Sequence, residues 1–177
     1  MTPLPTCVVV MGVSGSGKTT VATTLARRLD WEFGEGDDHH PQANVDKMRA
    51  GIPLDDDDRR PWLQELAGWI AEHEAAGRSC VLTCSALKRS YRDLLREGNQ
   101  GVWFAHVDVA EDVLVARLNA RTGPYMPPSL LTSQLATLER LAPDEPGITV
   151  PGTGEADEVV DSIVAALARD RGVPAPT

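Results

Sequence analysis

Positive charge is in short supply in this chain. Seventeen lysines and arginines stand against 26 aspartates and glutamates, a formal net charge of -9 over 177 residues. A surface of that sign repels phosphate backbones and anionic lipid, which excludes nucleic acid and the membrane surface as main partners. Cysteine is sparse too: Cys7, Cys80 and Cys84 form no C-x-x-C pair, and two of them lie inside apolar runs. That usage points to buried free thiols in a reducing, cytoplasmic setting, and without Cys/His ligand spacing a structural zinc is unsupported. No apolar stretch nears the ~20 residues of a membrane span, and the first residues lack the basic segment of a secretion signal. Internal repeats and long linkers are absent. So are an N-K-x-D motif for reading guanine and an apolar strand ending in D-E.

What is present reads as one globular domain over residues 1–177, with 42% hydrophobic residues to build its core. Apolar runs at 7–11, 31–33, 79–84, 102–109 and 147–150 alternate with helix-period stretches at 18–29, 60–76, 110–121 and 155–169. The alternation predicts an α/β fold, a parallel five-stranded sheet with helices on both faces, and the strands are apolar enough to be buried on both sides. The Pro-rich tail, residues 171–177, is expected to fray.

The segment "GVSGSGKTT" (Gly12, Val13, Ser14, Gly15, Ser16, Gly17, Lys18, Thr19, Thr20) joins the first strand to the first helix. It fits G-x-x-x-x-G-K-[ST]. Glycines let successive backbone N–H groups curl inward around phosphate oxygens, and the helix that follows adds the positive end of its dipole. Lys18 is expected to reach the terminal phosphates of ATP, and the Thr19 hydroxyl to ligate Mg²⁺. This loop alone does not separate a kinase from other nucleotide hydrolases; the short chain and the absent guanine motif favour a small-molecule kinase by fold-level analogy.

A second site follows the short strand at 31–33. Glu35 and Asp37 form an acid-x-acid pair at the carboxyl end of a parallel strand, where ligands of open α/β sheets bind. One acid can serve the magnesium shell, and the other can orient an attacking hydroxyl and take its proton. A solvated acidic turn capping the helix near Pro41 is the bland alternative.

At this point the residues resemble a known family. "GDDHHPQANVDKMRAGIPLDDDDRRPWL" (36–63), "CSALKRSYRDLLREG" (84–98) and "LLTSQLATLE" (130–139) are similar, in this order, to the gluconate kinases (gluconokinases). The resemblance spans about residues 7–140. It implies a three-layer α/β/α P-loop kinase fold like that of the nucleoside monophosphate kinases, with a lid at about 121–133 and a substrate-binding helical segment at about 38–76. It also implies ATP- and Mg²⁺-dependent phosphorylation of D-gluconate to 6-phosphogluconate, and a homodimer. Two departures stand out: Glu35 replaces the family's usual aspartate, and Gly123-Pro124-Tyr125 replaces its usual Gly-His-Phe/Tyr. Without the resemblance, the residues leave open a kinase of another hydroxy acid, such as shikimate, or of a nucleoside monophosphate. They also leave open a nucleotide-binding regulator, though a regulator needs no second site.

The remaining polar residues are expected to divide as follows. Asp37 orients the hydroxyl, with His40, Arg59, Ser85, Lys88 and Arg92 binding the sugar acid. Lys88, Arg92 and Arg96 recur at i, i+4 and i+8, a mutually repulsive row that asks for an anion. Arg59 follows four aspartates, in which Asp58 reads as a helix N-cap with Pro61 in the first turn, so a local Asp–Arg pair is its alternative. Arg117 and Arg121, at the lid edge, are expected to stabilise the transferred phosphoryl group, although the end of a helix alone accounts for two cations. His40 has helix capping as its alternative. Substitution Lys18→Ala is expected to abolish nucleotide turnover while leaving the circular dichroism spectrum unchanged; surviving turnover overturns the phosphate-loop assignment.

Overall fold

The computed structural model describes residues 4–120 and 128–176. Five parallel strands, β1 (Cys7–Met11), β2 (Glu32–Glu35), β3 (Cys80–Thr83), β4 (Val102–Asp108) and β5 (Gly147–Pro151), form one sheet in the order β2-β3-β1-β4-β5. Every residue of β1 is buried. Successive strand side chains point to opposite faces, so complete burial means that both faces are covered. The helices do this. Helix α1 (Lys18–Leu29) sends Val21, Ala22, Leu25 and Ala26 into the core and packs beside α7 (Ala156–Arg171), while α3 (Asp56–Ala75) packs beside α4 (Arg89–Arg96). Helices α2 (Gln42–Arg49), α5 (Glu111–Ala120) and α6 (Pro128–Thr137), with a 3-10 turn after β2, complete the described elements.

The register puts the carboxyl ends of the strands on one edge. Val10 lies opposite Thr83, Met11 opposite His106, and Glu35 opposite Thr83. Strands β2 and β3 lie on one side of β1, β4 and β5 on the other. Chain connections therefore diverge at β1, and a crevice opens at its carboxyl end. The loop 12–17 leaves β1 at that crevice.

Several expectations need correction. Strand two runs from Glu32 to Glu35, so Glu35 is itself a strand residue, and Gly36–His39 form a 3-10 turn. A side chain at Gly36 is impossible, because its Cβ would lie 1.9 Å from the carbonyl oxygen of Thr83. Helix α3 starts four residues before the expected position. Asp55, not Asp58, is its N-cap: Asp58 N–H donates to the Asp55 carboxylate (2.7 Å), and Asp55 N–H donates back to Asp58 (3.0 Å). This reciprocal pair is a capping box with aspartate in the third position. Pro61 consequently sits in the second turn, where its missing N–H leaves the Asp57 carbonyl without its helical donor. Residues 128–133 of the expected lid begin α6, whose Leu130 and Leu131 are buried, and residues 121–127 lie outside the described residues. At the other end, α7 includes Arg171, and Val173 packs against the core, so the expected fraying does not begin at 171.

Arg92 is the most instructive correction. It does not face a substrate. Its side chain is fully buried, with Nε 2.7 Å and Nη2 3.0 Å from the Glu145 carboxylate and Nη1 2.8 Å from the carbonyl of Ala86. The row at 88, 92 and 96 is broken because α4 begins at Arg89: Lys88 is its N-cap, and Arg92 lies on the core side. The pair ties α4 to the segment before β5. Breaking a buried ion pair from one side leaves an uncompensated charge, which costs about 3–5 kcal/mol. Arg92→Met is accordingly expected to lower the urea midpoint strongly, and the double substitution Arg92→Met/Glu145→Leu to recover most of the loss. A stable Arg92→Met protein whose only defect is acceptor affinity would overturn this structural role.

Candidate active site

Two cavities flank the loop 12–17. One is lined by Ser14 and Lys18 of the loop, Asp37 and His40 after β2, Arg59 and Trp62 of α3, Ser85 after β3, and Ser133 and Gln134 of α6. The other is lined by Gly15, Ser16, Gly17 and Thr20 from the loop and α1, by Arg117 of α5, and by Gly152 and Gly154 after β5. The loop is thus shared: Ser14 and Lys18 face one cavity, and Gly15 to Gly17 face the other.

Its local chemistry follows from α1. Gly17 caps the helix with φ of 90°, a left-handed conformation open to glycine at little cost, and offers no side-chain oxygen. No acid occupies the first turn of α1, whereas α3, α5 and α7 each carry acids there. The positive end of the α1 dipole is therefore left to whatever enters the loop. Ser16 Oγ is buried and has no hydrogen-bond partner among the described residues, an unmet polar group of the kind a bound phosphate can satisfy. Lys18 Nζ donates across the loop to the Val13 carbonyl at 3.1 Å.

Behind Lys18 lies a chain of oxygens. Thr19 Oγ1 donates to one Glu35 carboxylate oxygen at 2.9 Å, and Thr83 Oγ1 donates to the other at 2.5 Å. Thr83 Oγ1 in turn accepts the Gly36 N–H at 3.0 Å. The longer glutamate side chain reaches the Thr19 hydroxyl from the last residue of β2. A hydroxyl and a carboxylate together are a hard oxygen donor set suited to Mg²⁺, which takes few protein ligands and keeps waters and substrate phosphates. Among the described residues there is no cluster of three or more acidic, His or Cys side chains that could hold a metal without such help.

On the acceptor side the most constrained group is His40. Its ring stacks on Trp62 with centroids 4.0 Å apart and planes 17° from parallel. The Trp62 indole N–H donates to the Gly36 carbonyl at 2.7 Å, which holds the platform to the 3-10 turn. The buried Asn44 amide nitrogen donates to the Asp58 carbonyl at 2.8 Å and approaches His40 Nδ1 at 3.2 Å. A carbonyl can only accept, so the amide orientation is settled; Nδ1 accepts and Nε2 carries the proton. That Nε2 lies 3.9 Å from the exposed carboxylate of Asp37. Burial, with the Arg59 charge adding to it, pushes the His40 pKa down to about 4. His40 is thus a neutral hydrogen-bond donor near neutral pH.

Arg59 reaches the same cavity and is held by a network that charge patterning did not reveal. Its Nη1 donates to the Tyr91 hydroxyl at 2.8 Å, Tyr91 donates to Asp56 at 2.5 Å, and the guanidinium lies over the Tyr91 ring at 5.2 Å. Lys88 does not line this cavity. It pairs with Asp56 at 3.2 Å and lies over the Tyr91 ring at 5.6 Å, in a neighbouring surface recess. Asp56 is held below the usual carboxylate range by the Tyr91 hydroxyl and then by Lys88. Arg117 stands on the far side of the loop, with Nη1 3.1 Å from the Gly15 carbonyl and Nη2 2.9 Å from the Gly152 carbonyl. It bridges the loop to the turn after β5, away from Asp37. Arg121 and Gly123-Pro124-Tyr125 lie outside the described residues.

The structure therefore gathers Ser14, Lys18, Asp37, His40, Arg59 and Ser85 around one cavity and leaves Lys88, Arg92 and Arg117 elsewhere. Sequence reasoning missed Trp62, Tyr91, Asn44 and Gln134 as site residues. Three of them stand in the motifs at 36–63 and 84–98, and Gln134 in that at 130–139. None carries charge, the property that singled out the others.

The chain is similar to known proteins over most of its length. A family described as an AAA domain matches residues 7–141. A gluconokinase of Gluconobacter oxydans (strain 621H) is 54% identical over 160 residues, 90% of either chain. The thermoresistant gluconokinase of Escherichia coli (strain K12) is 41% identical, over 89% of this chain and 88% of its own. A crystal structure of a gluconokinase from Sinorhizobium meliloti 1021 superposes with a TM-score of 0.85 at 44% identity, over 96% of this chain and 95% of its own.

The histidines set a stability window. His106 is also held to about 4, first by burial. The unfolded chain binds protons on both histidines from about pH 6.5 downward, whereas the folded chain resists until about pH 4. Their stabilising contribution is complete above pH 6.5 and is lost as pH falls through that interval. The urea midpoint is expected to drop between pH 6.5 and 4, and to drop less in His40→Gln. An identical slope in that variant would overturn the assignment.

Proposed function

The chain is a member of the gluconokinase family, and from that premise we propose that it transfers the γ-phosphoryl group of ATP to the 6-hydroxyl of D-gluconate. The observation that carries the reading is the placement of Asp37 and Lys18 in one cavity, with a second cavity behind the same loop. A nucleotide lying across the loop has its base beside Arg117, Gly152 and Gly154 and its terminal phosphate beside Lys18 and Ser14. The loop amides and Lys18 then bind the phosphates.

Asp37 receives the hydroxyl of the sugar acid. The hydroxyl oxygen bonds to the γ-phosphorus, the bond to the β-phosphate oxygen breaks, ADP departs, and the proton passes to the Asp37 carboxylate. His40, neutral and bearing its proton on Nε2, donates to a substrate hydroxyl. The Trp62 platform keeps that ring still, so little order is lost on binding. Arg59, already fixed by Tyr91, presents its guanidinium to the gluconate carboxylate, and Ser85 offers a hydroxyl to the polyol. Thr19 and Glu35 are the residues that would hold Mg²⁺. When bound, the metal neutralises charge on the phosphates.

Lys88 and Arg92 have no part in binding the acceptor, and Arg117 serves the nucleotide side. Arg121, in the segment between α5 and α6, retains its role at the transferred phosphoryl group, and that segment with the start of α6 forms the lid that excludes water. The family resemblance also supports a homodimer in the cytoplasm. Among the described residues no helix is long and apolar enough to cross a membrane.

Incubation with ATP, Mg²⁺ and gluconate is expected to yield a product whose NMR spectrum shows phosphorus coupled to C6. Asp37→Asn is expected to lower kcat by about 100-fold or more with little change in the KM for gluconate. Transfer to a different acceptor, or an unchanged kcat, would overturn the proposal.

A further inference from the structure

We infer that Gln134 is a γ-phosphate reader: its carboxamide occupies the place of a phosphate oxygen on the Ser14 N–H, and yields that place by turning its own N–H₂ toward the phosphate when ATP binds. The inference rests on the reading that this cavity receives the terminal phosphate of ATP. The central observation is a single hydrogen bond. Ser14 N–H donates to Gln134 Oε1 at 2.7 Å, across 120 residues of sequence.

Ser14 is special among the loop residues. Gly15, Ser16 and Gly17 line the cavity on the nucleotide-base side, whereas Ser14 lines the acceptor cavity with Lys18 and Asp37. Its N–H therefore points to the end of the phosphate chain that differs between ATP and ADP. An oxygen of the γ-phosphate accepting that N–H must displace Gln134 Oε1, since both need the same donor at hydrogen-bonding distance. Glutamine can survive the displacement where glutamate cannot. Its amide carries an acceptor and two donors on one carbon, so a rotation of the terminal torsion replaces Oε1 by Nε2–H and converts a competitor into a ligand.

The placement of Gln134 makes this consequential. It sits on α6 (Pro128–Thr137), one residue after Ser133 and four after the buried Leu130, both of which line the acceptor cavity. The exchange on Ser14 is therefore transmitted to a helix that walls the acceptor. Diphosphate leaves the Ser14–Gln134 bond intact, and triphosphate replaces it. One amide thus reports to α6 whether a transferable phosphoryl group is present.

The test uses nucleotide binding alone. Calorimetry with Mg²⁺ gives the ratio of affinities for a non-hydrolysable ATP analogue and for ADP. In Gln134→Glu the acceptor for Ser14 N–H remains, but the side chain repels phosphate and offers no donor. The affinity ratio is expected to fall about tenfold or more, with ADP affinity within about twofold of the parent. In the unsubstituted protein, the Ser14 backbone amide and the Gln134 side-chain amide signals in nitrogen-15 NMR are expected to move with the ATP analogue and to stay in place with ADP. This second measurement decides the matter if the variant does not fold. Equal shifts with both nucleotides, or an unchanged ratio, overturn the inference. A lower ratio in the variant combined with failure of the unsubstituted protein to phosphorylate gluconate removes the substrate assignment and leaves Gln134 as reader. Absence of any triphosphate preference in the unsubstituted protein removes both.

Discussion

The burial of β1 between β3 and β4 is the constraint on which the site depends. Val8, Val9 and Val10 are wholly inaccessible, and moving the strand out of the sheet would expose all three apolar side chains to water. With β1 pinned, the loop that leaves it must emerge at the divergence of chain connections, next to the ends of β2 and β3. Glu35, Thr83 and Thr19 meet there because β2 and β3 end in register beside the first turn of α1. The glycine-rich loop is held at both ends, because β1 and α1 each bury apolar side chains in the core.

An acidic protein that binds acidic ligands has to spend its few cations carefully, and the structure shows how they are divided. Arg28, Lys47, Arg89 and Arg140 are held by Asp157 and Asp161, Asp58, Asp144 and Asp108 respectively, and Arg92 is held in the core by Glu145. Two cations that line the cavities, Arg59 and Arg117, are instead oriented by a tyrosine hydroxyl and by two carbonyls. Neutral partners fix direction without cancelling charge, so the positive potential remains available to a phosphate or a carboxylate. The run Asp55–Asp58 follows the same logic from the other side. Asp55 caps α3, Asp56 anchors Tyr91 and Lys88, Asp57 pairs with Arg60, and Asp58 closes the capping box and holds Lys47. Four identical neighbours take four different partners because consecutive residues in the first helical turn point about 100° apart.

The sheet, the helices and the phosphate loop were legible because each is written in local pattern. Apolar runs bounded by breakers mark strands, a 3.6-residue period marks α1 and α7, and a glycine-lysine spacing marks a phosphate cradle. Charge was a poorer guide. Lys88 and Arg92 share the helical spacing expected of an anion clamp, yet one caps α4 and the other is sealed against Glu145, 53 residues away. Nothing between positions 92 and 145 signals that pairing. The neutral members of the site were silent for the complementary reason: Trp62, Asn44 and Gln134 act through a ring face or an amide edge, and such groups acquire meaning only from what lies opposite them.

The amino-acid order by itself determined the succession of the five strands and of helices α1, α3, α5 and α7, the cradle from Gly12 to Thr19, and the acid at position 37 that follows the second strand. These depend on residues close together along the chain. The tertiary structure alone decided which cations face ligand and which are neutralised, that His40 is a neutral donor with its proton on Nε2, and that the amide of Ser14 is met by Gln134. Those outcomes depend on burial and on contacts across tens of residues, where the free energy of a charge or an amide is set by its surroundings and no longer by its neighbours in sequence.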